Sequence, residues 1–580
     1  MSTVLGLHTG HESSAVLFRD GQLVAAISEE RLSRIKNDGG RLPDAAIARV
    51  LGMGGLERTQ TEHLALQYNF LPEEYFRRET LLKEFERRFS RFKKKLANQD
   101  RPQMMARNLL KQLRKQGKPF DPYFRKDEFL VGEGFSPSTT LRFHDHHDAH
   151  ALPAAYYSGF ERAAVFTMDG VGDLDINHTS CIYDKGRVRR IHVTNTVGTS
   201  AGGFYGAITR ILGFRELRHE GKVIGLAAYG NPAPLYEAFS RALRLSADGN
   251  TLDSDFACQH ERVRYDYLAS VAEGHSREDV SAAAQQVLED VALELIRRFL
   301  DETGLDCVAL NGGVFANVKL NQRIAALPQV KQVFVFPAMS DTGNSVGSAL
   351  LDLQASSPEV FAANRKPLET VYWGPEYDDH AIHAALQAAG IACERMDEEA
   401  LIRRTAAAIH GGRVVGWFQG RMEFGPRALG NRSMLAQPTE KGINDWLNQR
   451  LDRSEFMPFA PSVLEERAEE LFENIPKARH AAAFMTITFD VKPEWRHRIS
   501  AVVHVDGTAR PQLVNRKTNP RYHRLIEAYA ALSGLPLVLN TSFNVHEEPI
   551  VCGPEEAARA FVEKRIDALA IGNFWAEHRD

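Results

Sequence analysis

The sequence predicts an α/β protein with a duplicated N-terminal domain over residues 1–365 and a second α/β domain over residues 366–580. Three observations predict it. The chain of 580 residues is too long for one hydrophobic core. A strand, a polar turn and a second strand occur near residue 4, and the same unit returns near residue 163. Finally, "QASSPEVFAANRKPLETVYWGPEY" (354–377) clusters Ser, Pro and Asn, and a new alternation of strands and helices follows it.

The first unit reads "VLGLH", the turn "TGHESS", then "AVLFRDGQLVAAI", with a tight reversal at Asp20-Gly21. Its repeat reads "AAVFTMDG", "VGDLDINHTS" and "CIYDKGRVRRI". Duplication with two facing phosphate loops is the plan of actin-like ATPases, and that is the fold expected of residues 1–365. A basic helical insertion is expected over about residues 70–130. In its 75–118 part, Leu82, Phe85, Phe89, Phe92 and Leu96 recur at helical spacing opposite Arg and Lys. This predicts a solvated helix packed on its own domain or on a dimer partner, with an acidic partner as the alternative.

Composition narrows the function classes. The chain is 43% hydrophobic and 25% charged, an ordinary globular balance. Its 71 basic and 75 acidic residues leave a net charge of −4, so no overall field favours nucleic acid or an anionic membrane. No apolar run approaches the roughly 20 residues of a membrane span, and the start lacks a signal-peptide pattern. The expectation is a cytoplasmic protein. Its five scattered cysteines show no clip spacing and are expected to be reduced thiols.

Chemistry concentrates in a few segments. "FHDHHDAH" (143–150) carries four histidines, and His146 and His150, four apart, share one face of a helix and can chelate a single ion. Asp169 in "FTMDGVGD" and Asp341 in "VFVFPAMSDTGNSVGSAL" stand where strands end, and two imidazoles with two carboxylates suit Fe(II), Mn(II) or Zn(II). Taken alone, the octapeptide also reads as a solvated histidine-rich turn. "EGKVIGLAAYG" (220–230) and "LNGGVFANVKLN" (310–321) bring glycines to turns beside helices, where backbone N–H groups can approach a phosphate, with Lys222 as a point charge. The loop "GWFQGRMEFGPRALGNRS" (416–433) holds Arg421, Arg427 and Arg432, which is costly unless they face anions. "HVDGTARPQ" (504–512) and "VLNTSFNVHEEPIV" (538–551) add two more polar loops, and three in one domain favour a nucleotide or acyl-phosphate pocket.

Together with "EERLSRIKND", these segments stand in the order found in the O-carbamoyltransferase family of the NodU, CmcH and TobZ type, which the whole chain resembles. The resemblance implies an actin-like domain similar to the one that completes threonylcarbamoyladenosine on tRNA, followed by a YrdC-like domain. It implies that the YrdC-like domain joins carbamoyl phosphate to ATP (with Mg2+), giving carbamoyl adenylate and pyrophosphate. A hydroxyl, less often an amine, of a small secondary metabolite would then attack the adenylate in the metal-containing domain. By the same resemblance, Fe2+ (with Zn2+ or Mn2+ as alternatives) would be held by His146, His150, Asp169 and Asp341. His11 would take the hydroxyl proton, near-neutral pKa suiting imidazole to that task. Lys36, Glu220, Lys222, Gly312, Gly313 and Asn317 would hold the adenylate, Lys36 close to the chemistry. Arg421, Arg427, Arg510, Asn540, Ser542 and Asn544 would form the donor site.

The chain departs from this pattern where the family usually reads KxRExFRPFAP. Here "LDRSEFMPFAP" puts Leu451 and Met457 in place of two cations and keeps Arg453, with Arg450 one position away; Glu547 replaces a glycine. Fewer cations and an added anion predict weaker phosphate binding. An enzyme of the same scaffold with a different acyl donor, or an ATP-dependent condensation without carbamoyl phosphate, is therefore the alternative.

Overall fold

The computed structural model describes residues 2–67, 71–77, 123–440, 442–451 and 456–578. The 78–122 stretch, with most of the basic segment, and Arg453 lie outside the described residues.

Two five-stranded sheets repeat one plan. In the first, β1 (Thr3–His8), β2 (Ser14–Arg19) and β3 (Gln22–Ser28) form an antiparallel meander. β4 (His63–Gln67) and β5 (Thr140–His144) add in parallel beyond β1, giving the order β3-β2-β1-β4-β5. In the second, β6 (Arg162–Met168), β7 (His178–Asp184) and β8 (Arg187–Thr194) form the meander. Cys307–Asn311 (β9) pairs in parallel with β6, and Gln332–Val335 (β10) with β9. Both meanders reverse through two successive residues of positive φ, Asp20-Gly21 (49° and 77°) and Lys185-Gly186 (45° and 93°). This turn type matches the twist of the paired strands. The duplicated order bears out the actin-like α/β fold.

A third sheet of eight strands fills the C-terminal part, with Val415–Phe418, Arg432–Ala436, Leu537–Ser542 and Ala460–Leu464 adjacent at its centre. The chain forms two compact units. One comprises 1–153, 172–176 and 341–365; the other comprises 154–171, 177–340 and 366–580. The second unit is unified by a single apolar cluster from Ala164 to Ala576, to which both of its large sheets contribute. Among the described residues no helix is long and apolar enough to cross a membrane, and all five cysteines are free thiols.

Candidate active site

In the first unit the helix His146–Tyr157 begins directly after β5. Asp145 caps it, accepting from the amides of His147 (2.9 Å) and Asp148 (3.2 Å). Gly347, in helix Asn344–Ser356, lies where a Cβ would run into the Ala149 carbonyl oxygen, so its small size lets the two helices approach. Close packing brings Asp341, at the mouth of the second helix, to both histidines. Its Oδ1 is 3.4 Å from His146 Nε2 and 3.3 Å from His150 Nε2, all three side chains being buried. One ligand atom of each lies within 4.8 Å of the others. The Asn344 amide nitrogen reaches His150 Nε2 at 3.1 Å and Asp341 Oδ1 at 3.5 Å. Two buried imidazoles and a buried carboxylate aimed at one point are a donor set suited to a borderline divalent ion.

The other two histidines of the octapeptide point elsewhere. His147 Nε2 meets the Ile176 carbonyl at 2.9 Å. His144 lies 4.0 Å from the buried Asp352, and burial lowers its pKa to about 4.

The turn between β1 and β2 delivers His11. Ser14 donates to the Thr342 carbonyl (2.7 Å), and the Thr342 hydroxyl donates to the Glu12 carbonyl (3.3 Å), so the turn is stitched to the segment carrying Asp341. His11 Nδ1 stands 3.5 Å from Asp341 Oδ2 and is 45% exposed, open to a substrate. The segment bearing Lys36 is fastened to the same turn. Gly40 N–H donates to the Gly10 carbonyl (2.8 Å), Ser13 N–H donates to the Asp38 carbonyl (2.9 Å), and no Cβ fits at Gly39 against the Gly10 carbonyl. Lys36 Nζ is 3.4 Å from the buried Glu30, which also forms an ion pair with Arg31 (2.8 Å) and accepts from the Asn37 amide (2.7 Å). Burial lowers the Lys36 pKa, and the charge of Glu30 opposes that shift.

Asp169 ends β6 in the second unit, three residues before the chain re-enters the first at Gly172. Its Oδ1 accepts from the Gly170 amide (2.7 Å) and faces Gly313, where a Cβ would come within 3.0 Å. Gly312 takes φ +102°, and any side chain there would strike the Met168 carbonyl; glycine is required for the turn to pass over the end of β6. Asn317 caps helix Val318–Ala325 with its oxygen (3.0 Å to Leu320 N) and donates its amide to Gln285 (2.8 Å), so both its polar ends serve local structure. Helix Glu220–Ala227 carries buried Lys222, its ammonium 5.7 Å from the centre of the Phe214 ring, while Glu220 accepts from the Leu217 amide (2.7 Å) in the preceding turn.

The C-terminal loops differ from their sequence reading in two respects. Arg421 and Arg432 have mostly backbone partners where anions were expected. Arg421 donates to the carbonyls of Trp373 (2.6 Å) and Gly374 (3.1 Å). Arg432, fully buried, donates to the carbonyls of Gln419 (2.8 Å), Gly420 (3.1 Å), Asn431 (2.9 Å) and Pro375 (3.1 Å), and lies 3.7 Å over the Phe418 ring. Its charge is solvated by peptide dipoles. Glu547, expected to oppose phosphate binding, is already neutralised: it accepts from Arg218 (2.7 Å) and His219 (2.7 Å), with Arg215 at 3.5 Å. Partial burial would raise its pKa, but those hydrogen bonds outweigh burial and lower it.

Asn540 links the segments that carry two of the remaining donor-loop arginines. Asn540 donates to the Ala428 carbonyl (3.2 Å), Ser462 (2.9 Å) and Gln512 (3.2 Å), tying the loop of Arg427 to that of Arg510; both arginines are partly exposed. Ser542 pairs in register with Ser433, and Asn544 donates to the Val545 and Glu548 carbonyls inside its own loop. Sequence reasoning missed Glu423, which accepts from the amides of Leu429, Asn431 and Arg432 at 2.7–3.1 Å and shapes the arginine loop. Leu451 is fully buried, and Arg450 is committed to Asp567 (2.6 Å).

A carbamoyltransferase is the class of enzyme this fold and these motifs define. The chain belongs to the carbamoyltransferase family: the family's N-terminal model matches residues 3–350 and its C-terminal model residues 406–578. It is 34% identical to nodulation protein NolNO of Sinorhizobium fredii, over 98% of this chain and 79% of that protein. It is 35% identical to nodulation protein NolO of Bradyrhizobium diazoefficiens, over 75% of this chain and 79% of that protein. Among solved structures, it is similar to component A of (R)-2-hydroxyglutaryl-CoA dehydratase from Acidaminococcus fermentans, at 12% identity and a TM-score of 0.33, over 60% of this chain and 97% of that one.

Proposed function

We propose that this carbamoyltransferase uses ATP to activate carbamoyl phosphate as carbamoyl adenylate and passes the carbamoyl group to a hydroxyl, or less often an amine, of a small-molecule acceptor. The observation that carries this reading is the buried His146–His150–Asp341 cluster with the exposed imidazole of His11 beside it. The donor atoms fit a divalent ion, Fe2+ by preference, with Asp169 as the fourth ligand by family resemblance. When bound, the metal supplies Lewis-acid polarisation of the carbonyl or phosphoryl oxygen.

The chain's own residues do the rest. His11 takes the proton from the attacking hydroxyl, a task that its exposure and the two nitrogens of an imidazole suit. Lys36, held by Glu30, and Lys222 offer point charges to the adenylate phosphate, and the Gly312-Gly313 turn offers close backbone approach. In residues 366–580, Arg427 and Arg510 face the donor's phosphate from loops that Asn540 ties together. Residues 1–365 are assigned the metal and adenylate chemistry, and residues 366–580 the activation of the donor with Mg2+ and ATP.

The test is to incubate the metal-loaded protein with ATP and carbamoyl phosphate and to look by mass spectrometry for carbamoyl adenylate and pyrophosphate. Their formation supports the proposal; their absence with the metal site filled refutes it. A second reading, with a different acyl donor, is favoured by the complete burial of Leu451 and the engagement of Arg450 by Asp567, which leave neither position offering a cation to carbamoyl phosphate. It predicts AMP release with another acyl donor and none with carbamoyl phosphate.

A further inference from the structure

The loop just ahead of helix Glu220–Ala227 presents a set of converging donors that none of the chemistry above uses. Arg218 donates to Glu547 Oε2 at 2.7 Å, with the Arg215 guanidinium 3.5 Å from the same oxygen. His219 Nε2 meets Glu547 Oε1 at 2.7 Å, and His546 Nε2 lies 3.6 Å from that oxygen. The rings of His219 and His546 stack, with centroids 5.7 Å apart and planes at 21°. Two guanidiniums and two imidazoles thus surround one carboxylate, an excess of positive potential at one point.

The protonation pattern decides what this cluster can bind. The Arg215 backbone N–H donates to His219 Nδ1 at 3.2 Å. With Nδ1 accepting, the neutral ring carries its proton on Nε2 and is a donor toward the carboxylate. Although His219, His546 and Glu547 are close enough to hold a metal, a metal on His219 Nε2 would need the lone pair that this tautomer lacks. The set is therefore built for an oxyanion. Glu547 reaches it from a backbone of φ +62°, a conformation that side chains other than Gly and Asn rarely adopt. A residue held in that conformation with its carboxylate on three donors behaves as a resident ligand.

We infer that Arg215, Arg218 and His219 form an oxyanion site for a phosphate or phosphoryl group, which Glu547 occupies as a built-in counter-anion that the ligand must displace. Two oxygens of a tetrahedral phosphate match the two-sided arrangement, guanidiniums on one oxygen and imidazoles on the other. The partial exposure of the four side chains leaves the site accessible to a diffusing anion. Glu547 acts as a competitor at high effective concentration, because it is tethered. The inference stands independently of which acyl donor the enzyme activates.

The test uses the full chain as wild type, as Glu547→Gly, which suits the left-handed backbone, and as the double variant Glu547→Gly with Arg218→Ala. Each is titrated calorimetrically with inorganic phosphate and, separately, with AMP. Glu547→Gly is expected to bind at least one of the two about tenfold or more tighter than wild type, and the double variant is expected to lose that gain. A gain for phosphate identifies the free ion as sufficient, whereas a gain for AMP alone identifies a nucleotide phosphoryl as the ligand. No gain for either, or a gain that survives in the double variant, overturns the inference. Binding of Zn2+ by the wild type that disappears in Glu547→Gly also overturns it, in favour of a metal cluster.

Discussion

Replacing Arg432 with Met tests whether this buried cation organises the donor loops or binds an anion. Met keeps much of the stem's volume and its packing on Phe418 but removes every donor. The guanidinium serves five carbonyls at 2.8–3.4 Å, three of them through Nη1, which has only two protons, so about three full hydrogen bonds and one long one are lost. Hydrogen bonds to a charged group contribute about 1.5–3 kcal/mol each, but the variant also recovers the cost of burying the charge. The balance is a loss of about 3–5 kcal/mol, the usual range when one partner of a buried charged network is removed. At about 2 °C per kcal/mol for a large domain, the calorimetric transition of the second unit should fall by about 6–10 °C. Arg432→Lys, with one compact ammonium that cannot reach carbonyls on both sides, should fall by roughly half as much. A transition within about 2 °C of wild type in Arg432→Met, with donor turnover alone reduced, would refute the structural role and return Arg432 to the anion-binding set.

Three further outcomes are expected. His11→Ala should retain bound metal, yet slow carbamoyl transfer by about 10²–10⁴-fold, with the loss appearing in kcat; an unchanged rate would remove His11 as the base. Gly347→Ala should force apart the helix that carries His150 and the helix that follows Asp341, and weaken metal binding measured by competition with a chromogenic chelator, without touching a ligand. His178, fully buried between Thr194 and Ser180, has its pKa lowered by burial to about 3. The unfolded chain then binds the extra proton, so this stability is complete above pH about 6.5 and falls by about 1.4 kcal/mol per unit as the pH drops from there toward 3. His178→Gln should show a flatter melting profile between pH 6.5 and 4 than wild type, and parallel profiles would contradict the assignment.

Local signals carried much of this structure. Asp20-Gly21 and the reversal before Arg187 mark both meanders, because positive φ at consecutive positions restricts the residues allowed. The i, i+4 pair His146 and His150 marks a helix face for the same kind of local reason. Partners set by long-range folding left no such trace. Glu547 meets Arg218 from 329 positions away, and an acidic residue in a loop looks the same whether paired or not. Arg432 resembled its neighbour Arg427 in the sequence, and only the curl of the loop around Glu423 shows that its guanidinium is buried among carbonyls. The grouping of residues 154–171 and 177–340 with 366–580 in one unit rests on a shared apolar cluster, which composition breaks near residue 365 do not reveal.

The buried His146–His150–Asp341 cluster is the proposed metal site, and the metal content of the protein is the most direct measurement of it. Protein reconstituted with Fe2+ under anaerobic conditions and desalted should carry close to one equivalent of metal by plasma emission spectrometry, and His150→Ala should carry almost none while keeping its circular dichroism spectrum. Wild-type protein that binds no divalent ion, or a His150→Ala variant that keeps its full equivalent, would contradict the assignment of His146, His150 and Asp341 as the metal-binding core.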